Sequence, residues 1–118
     1  MSDRRRQQRV AEEIQRRAST FIREELKDPR IGFLTVTGVD VNSDLTQAII
    51  HVSVLGDEQS RNDTMAALRS AKGLIKRDIG DWLGIRTVPN IIFKYDESIE
   101  RGTRVIELIR ALEGEERE

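Results

Sequence analysis

Four cations gather around one glycine between positions 69 and 77: Arg69, Lys72, Lys76 and Arg77, with Gly73 among them. Turned at about 100° per residue, Leu68, Ala71, Leu74, Ile75, Ile79 and Trp82 share one side of a helix within Met65 to Gly84. The cations take the other side, together with Gly73 and Gly80. A glycine inside a helix costs about 1 kcal/mol relative to alanine, and no core packing explains one that faces solvent. Either the helix breaks there, or a group from outside must approach the bare backbone. A basic face with naked backbone at its centre suits a phosphate.

Other chemistry is sparse. The chain has no cysteine, which removes disulfides, thiolate metal sites and a cysteine nucleophile, and its single histidine removes a multi-histidine metal cluster. There is no GxxxxGK[ST] loop, no GxGxxG and no GxSxG elbow. A Ser-His-Asp triad would have to use His51, which lies on the polar parity of a strand with no Asp, Ser or Cys in obvious register. It reads as a surface residue. Asp96 and Glu97 are adjacent acids, better explained as a solvated helix cap than as a general-acid pair. The residues thus call for no catalytic site, cofactor or metal.

Net charge is −1, but charge is segregated. Residues 1–30 carry nine Lys/Arg against six Asp/Glu and residues 61–94 seven against three, whereas 31–60 carry four acids with no Lys/Arg and 95–118 four bases against eight acids. Such blocks permit a basic face on a mildly acidic protein; solvated helix faces and an acidic tail would give the same blocks. No apolar run approaches the roughly 18 residues of a membrane span, and Gln7, Gln8 and Arg9 stand where a signal peptide needs an apolar stretch. The expectation is a soluble, cytoplasmic protein with one domain over 1–112 and a short charged tail over 113–118.

The elements that position the cations follow from periodicity. Val10, Ala11, Ile14, Ala18, Phe21, Ile22 and Leu26 predict an amphipathic helix over Arg4–Lys27, stopped by Asp28-Pro29. Arg4, Arg5, Arg6 and Arg9 at its start make either a phosphate-binding arm or a frayed, solvated terminus. Strands are predicted over Leu34–Val41, with a bulge where the parity changes at Gly38, and over Gln47–Leu55, joined by Asn42-Ser43-Asp44. Asn62 or Asp63 is the expected N-cap of the next helix, which runs to Trp82-Leu83 with Gly84 as its stop. On an unbroken helix Asp78 intrudes into the apolar arc, so a break near Gly73 is expected to reset the phase. Trp82, on that arc, reads as core. Asn90–Tyr95 makes a third strand, and Ile99, Val105, Ile106, Ile109 and Leu112 a final helix. The sum is an α+β layer arrangement, a three-stranded sheet covered by helices on one face. Without an interleaved aromatic platform, backbone phosphates and shape should dominate over base stacking in any RNA contact.

From Arg4 to Leu112 the chain resembles the bacterial ribosome-binding factor A family. The resemblance rests on Arg9-Val10-Ala11, Asp28-Pro29-Arg30, Val39-Asp40-Val41-Asn42-Ser43-Asp44-Leu45, Val52-Ser53-Val54, Ala71-Lys72-Gly73, Val88-Pro89-Asn90-Ile91-Ile92-Phe93 and Tyr95-Asp96-Glu97-Ser98, in that order and spacing. It implies a type II KH-like domain in which an Ala-x-Gly kink replaces the GxxG loop. It also implies a non-enzymatic, monomeric assembly factor that binds the small (30S) ribosomal subunit or its precursor rRNA. That factor would support late 16S rRNA maturation and growth in the cold, and be released with the aid of a GTPase assembly factor. The RNA-binding set would then be Arg69, Ala71, Lys72, Gly73, Lys76 and Arg77, then Arg30 and Arg86, then Arg4, Arg5 and Arg6. Two other classes stay open on the residues alone: a protein–protein adaptor using the basic helix face, and a metal-dependent nuclease built from scattered carboxylates.

Overall fold

The computed structural model describes residues 2–98, with Arg110 and Leu112 beyond them, so the expected final helix and charged tail lie outside the described residues. Helix α1 spans Ser2–Glu24, strand β1 Phe33–Val41, β2 Gln47–Leu55, helix α2 Glu58–Ser70, α3 Lys72–Leu83 and strand β3 Asn90–Tyr95. The strands form one sheet in the order β1-β2-β3, with β1 antiparallel and β3 parallel to β2.

Strand alternation decides which face is covered. Val36, Val41, Ala48, Ile50, Val52, Ile91 and Phe93 are buried, and they meet Ile14, Ala18, Phe21 and Ile22 of α1, with Leu68, Ile75 and Ile79 of the helix pair, in one core. The register slips between Val36 and Gly38. That bulge returns Val39 and Val41 to the core side after Val36, which is the parity change seen in the sequence. At the hairpin turn the Asn42 side-chain oxygen accepts from the amides of Thr46 and Gln47, both at 2.9 Å. The Thr46 hydroxyl donates to Asp44 at 2.7 Å, which holds the Asp44 carboxyl below the usual carboxylate range.

Two expectations need correction, the N-cap of α2 and the phase of Asp78, whereas the break near Gly73 is found as expected. Helix α2 starts earlier than Asn62 or Asp63, because Asp57 is its N-cap and accepts from the Ser60 amide at 2.8 Å. The break falls at Ala71, which ends α2 and begins α3 with φ −89° and ψ 2°. It does not rephase Asp78, which is matched from α1 instead: Arg17 donates to its two carboxylate oxygens at 2.5 and 2.7 Å. Gly84 caps α3 in the left-handed region, φ 65°, as the spacing predicts.

His51 also differs. Its register partner is Gly38, but the bulge turns Asp40 to the same face, and Asp40 reaches it diagonally across the hairpin, with Nε2 to Oδ2 at 2.8 Å. On the same face, which no described helix covers, the Thr37 hydroxyl donates to Asp96 at 2.7 Å. The Ser98 hydroxyl and amide also donate to Asp96, at 2.6 and 2.9 Å. These bonds, Ser98's foremost, pull the Asp96 carboxyl down to about 2.

Candidate nucleic-acid interface

Helix α3 begins directly after Ala71, the residue that also ends α2, without a side-chain cap and without an acid in its first turn. Gly73 lies in that turn. The break at Ala71 uses torsions open to any residue, and a Cβ built on Gly73 would meet nothing within 4 Å. Neither backbone strain nor crowding therefore requires glycine at 73. What its absent side chain does is leave backbone open.

A shallow depression of about 440 Å³ opens beside that turn, lined by Gly73, Lys76, Arg77, Arg86, Thr87 and Val88. Three of the six are cations and none is an acid. Lys72 lies one turn before Lys76 on α3, and Arg69 is exposed in the last turn of α2. No described carboxylate pairs with Arg69, Lys72, Lys76, Arg77 or Arg86. Their charge is available to a ligand.

Arg86 joins the group because the 86–88 loop folds back onto α3. A Cβ on Gly80 would lie 2.6 Å from Val88 Cγ2, so only glycine lets the loop settle there. This corrects the expectation that Gly80 faces solvent; it is buried. Thr87, Val88 and Gly80 are missed by sequence reasoning. The one signal for them is that Gly73 and Gly80, seven apart, share a helix face.

The remaining candidates divide. Ala71 is buried and acts through the backbone, its amide donating to the Ala67 carbonyl while its carbonyl accepts from Ile75. Arg30 stands outside the depression. Its guanidinium donates to Asp28 at 2.8 and 3.1 Å, which raises the Arg30 pKa and lowers that of Asp28, so the pair offers little net charge. Arg4, Arg5 and Arg6 are exposed on the first turns of α1. Gln7, next along, donates to the Val41 carbonyl near the hairpin turn, the same end of the sheet where the Asn90 amide meets the Thr46 carbonyl at 2.8 Å. The N-terminal arginines and Arg86 thus share one end of the sheet, on opposite edges.

Trp82 is the clearest departure. It is 55% exposed, and Leu74 on the same stripe is 58% exposed, so neither belongs to the core. The arc predicted to be buried is only partly covered by α1. Arg17 of that helix lies 5.1 Å from the Trp82 ring centroid and takes the place a core side chain would have filled.

Residues 6–109 match the sequence profile of the ribosome-binding factor A family. A relative of that name in Desulfitobacterium hafniense is 49% identical over 111 residues, which cover 94% of this chain and 89% of the relative. Another, from Geobacter sulfurreducens, is 44% identical over 93% of each chain. The chain belongs to the ribosome-binding factor A family. Among solved structures, a Thermotoga maritima protein described as ribosome-binding factor A superposes with a TM-score of 0.71 at 32% identity, covering 80% of this chain and 91% of that one. The crystal structure of ribosome-binding factor A from Thermus thermophilus gives 0.69 at 21% identity, over 78% and 97%. A Thermus thermophilus ribosome-binding factor A fitted into a map of its complex with the 30S subunit gives 0.62 at 22%, over 74% and 91%. The fold is that of ribosome-binding factor A, a type II KH-like arrangement, with the break at Ala71-Lys72-Gly73 where a KH domain carries its GxxG loop.

Among the described residues no three His, Cys, Asp or Glu side chains are grouped to hold a metal ion. No described helix is long and apolar enough to cross a membrane.

Proposed function

We propose that this member of the ribosome-binding factor A family is a non-catalytic assembly factor that binds the 30S subunit or its precursor rRNA and supports late 16S rRNA maturation. The observation that carries this is the depression at the head of α3, where Lys76, Arg77 and Arg86 surround the open backbone of Gly73 with no acid among its lining residues. Such a surface fits a phosphate of folded RNA: the backbone at Gly73 is open to close approach while the flexible cations neutralise charge. Arg69 and Lys72 extend the contact along the helix pair, and Arg4, Arg5 and Arg6 add a flanking arm. Arg30, held by Asp28, contributes least.

The reading extends to a cytoplasmic protein acting as a monomer, released with the aid of a GTPase assembly factor and most needed in the cold. The family resemblance supports these parts; the basic face supports the RNA contact.

Binding through about four to six phosphates gives a log–log salt slope of roughly −3 to −5. Co-sedimentation with mature and precursor 30S subunits across a salt series measures that slope, and free rRNA should compete. A shallower salt response with no competition by rRNA would assign the basic face to an acidic protein instead. Divalent-dependent cleavage of RNA by the purified protein would establish the nuclease.

A further inference from the structure

We propose that Trp82 is a stacking platform for an unpaired nucleobase of the RNA that the basic face binds, an inference that rests on the RNA-binding reading above. More than half of this large side chain is open to solvent, yet it is held in place. Arg17 lies over the ring at 5.1 Å. Arg17 is itself fixed by two bonds to Asp78, at 2.5 and 2.7 Å, and approaches Glu25 at 3.7 Å. An aromatic ring backed by a pinned cation needs little ordering when a ligand arrives, and a base laid on it would complete a base–indole–guanidinium stack.

Position points to the same ligand. Trp82 sits on α3 six residues past Lys76, about 9 Å along the helix axis and about 120° round it, so it flanks the cation face instead of lying within it. A few successive nucleotides of one strand, wrapping the side of the helix, can span that separation. Asp78 holds the Arg17 charge that lies over the ring, and Asp81, the preceding residue, is exposed; this flank carries no spare positive charge for a phosphate, so the part of a nucleotide that settles on Trp82 is its uncharged base. An apolar protein segment on the same stripe would have to bury the Arg17–Asp78 pair and Asp81, at a desolvation cost that a base stacked on one ring face avoids.

Trp82 is the chain's single tryptophan, so its fluorescence reports the site directly. The full-length protein is titrated at low salt with a short single-stranded oligoadenylate and with an abasic oligomer of the same length and backbone. Both should bind by anisotropy of an end label, but only oligoadenylate should quench Trp82. Trp82→Leu should weaken oligoadenylate about tenfold and leave the abasic oligomer unchanged, while Trp82→Phe should stay within about threefold of the parent. Circular dichroism checks that each variant is folded.

Equal quenching by the two oligomers, or unchanged oligoadenylate binding by Trp82→Leu, overturns the proposal and leaves the basic face standing. Unchanged oligoadenylate binding together with weaker 30S binding would instead assign the stripe to a ribosomal protein. Should neither oligomer bind at low salt while rRNA and 30S subunits still do, this proposal falls and the RNA-binding reading stands; should rRNA fail to bind as well, both fall.

Discussion

Gly73 is the residue whose identity is hardest to explain without a ligand. It sits in the first turn of α3 with open space where a side chain would be, and its neighbour Ala71, not Gly73, makes the break. Gly73→Leu should therefore leave stability unchanged or raise it by up to about 1 kcal/mol, since leucine favours the helix. The same change should weaken 30S binding by about tenfold or more, because an isobutyl group now covers the backbone that a phosphate approaches. Thermal unfolding beside co-sedimentation separates the two effects. Parallel losses of folding and binding would make Gly73 a purely structural residue.

At the scale of elements, the site depends on how the 86–88 loop lies against α3. The Cβ of Gly80→Ala would come to 2.6 Å from Val88 Cγ2. Overpacking of that kind costs about 1–3 kcal/mol, less the roughly 1 kcal/mol that alanine gains in a helix. Urea unfolding should show Gly80→Ala destabilised, and the Gly80→Ala/Val88→Ala pair more stable than the sum of the singles. RNA affinity should fall with Gly80→Ala, since Arg86 moves with its loop. Additive singles would mean that the close approach carries no energy.

The elements themselves were legible in the sequence where periodicity and burial coincide: the two long strands, the bulge at Gly38, the helix break within two residues of Gly73, and the cap at Gly84. Legibility stopped where a side chain's surroundings come from another element. Helical phase places Trp82 and Asp78 on the apolar arc, but only the docked α1 shows Arg17 between them. The same limit hid Gly80, whose partner arrives from a loop, and Asp40, which reaches His51 only through the bulge. The cations Lys76 and Arg77 were readable as one face because a single helix carries both. Arg86 was harder to place, since a folded-back loop brings it there.

For the molecule as a whole, charge is divided by position. Residues 31–60 carry four acids and no Lys/Arg, while Arg69, Lys72, Lys76, Arg77 and Arg86 are paired with no described carboxylate. A protein of net charge −1 can thus present one locally positive surface to a polyanion and little attraction elsewhere. Lys72 and Lys76 are half-buried with no described acid paired to them. Reversing both should spare the fold while inverting the field at the head of α3. The most direct measurement is therefore co-sedimentation of the parent and of Lys72→Glu/Lys76→Glu with 30S subunits across a salt series. Affinity at low salt should drop at least about tenfold, and the log–log slope should flatten by about 2, with the unfolding curve unchanged. A folded double variant that binds the subunit with the parent's affinity and salt slope would contradict the assignment of this face to RNA.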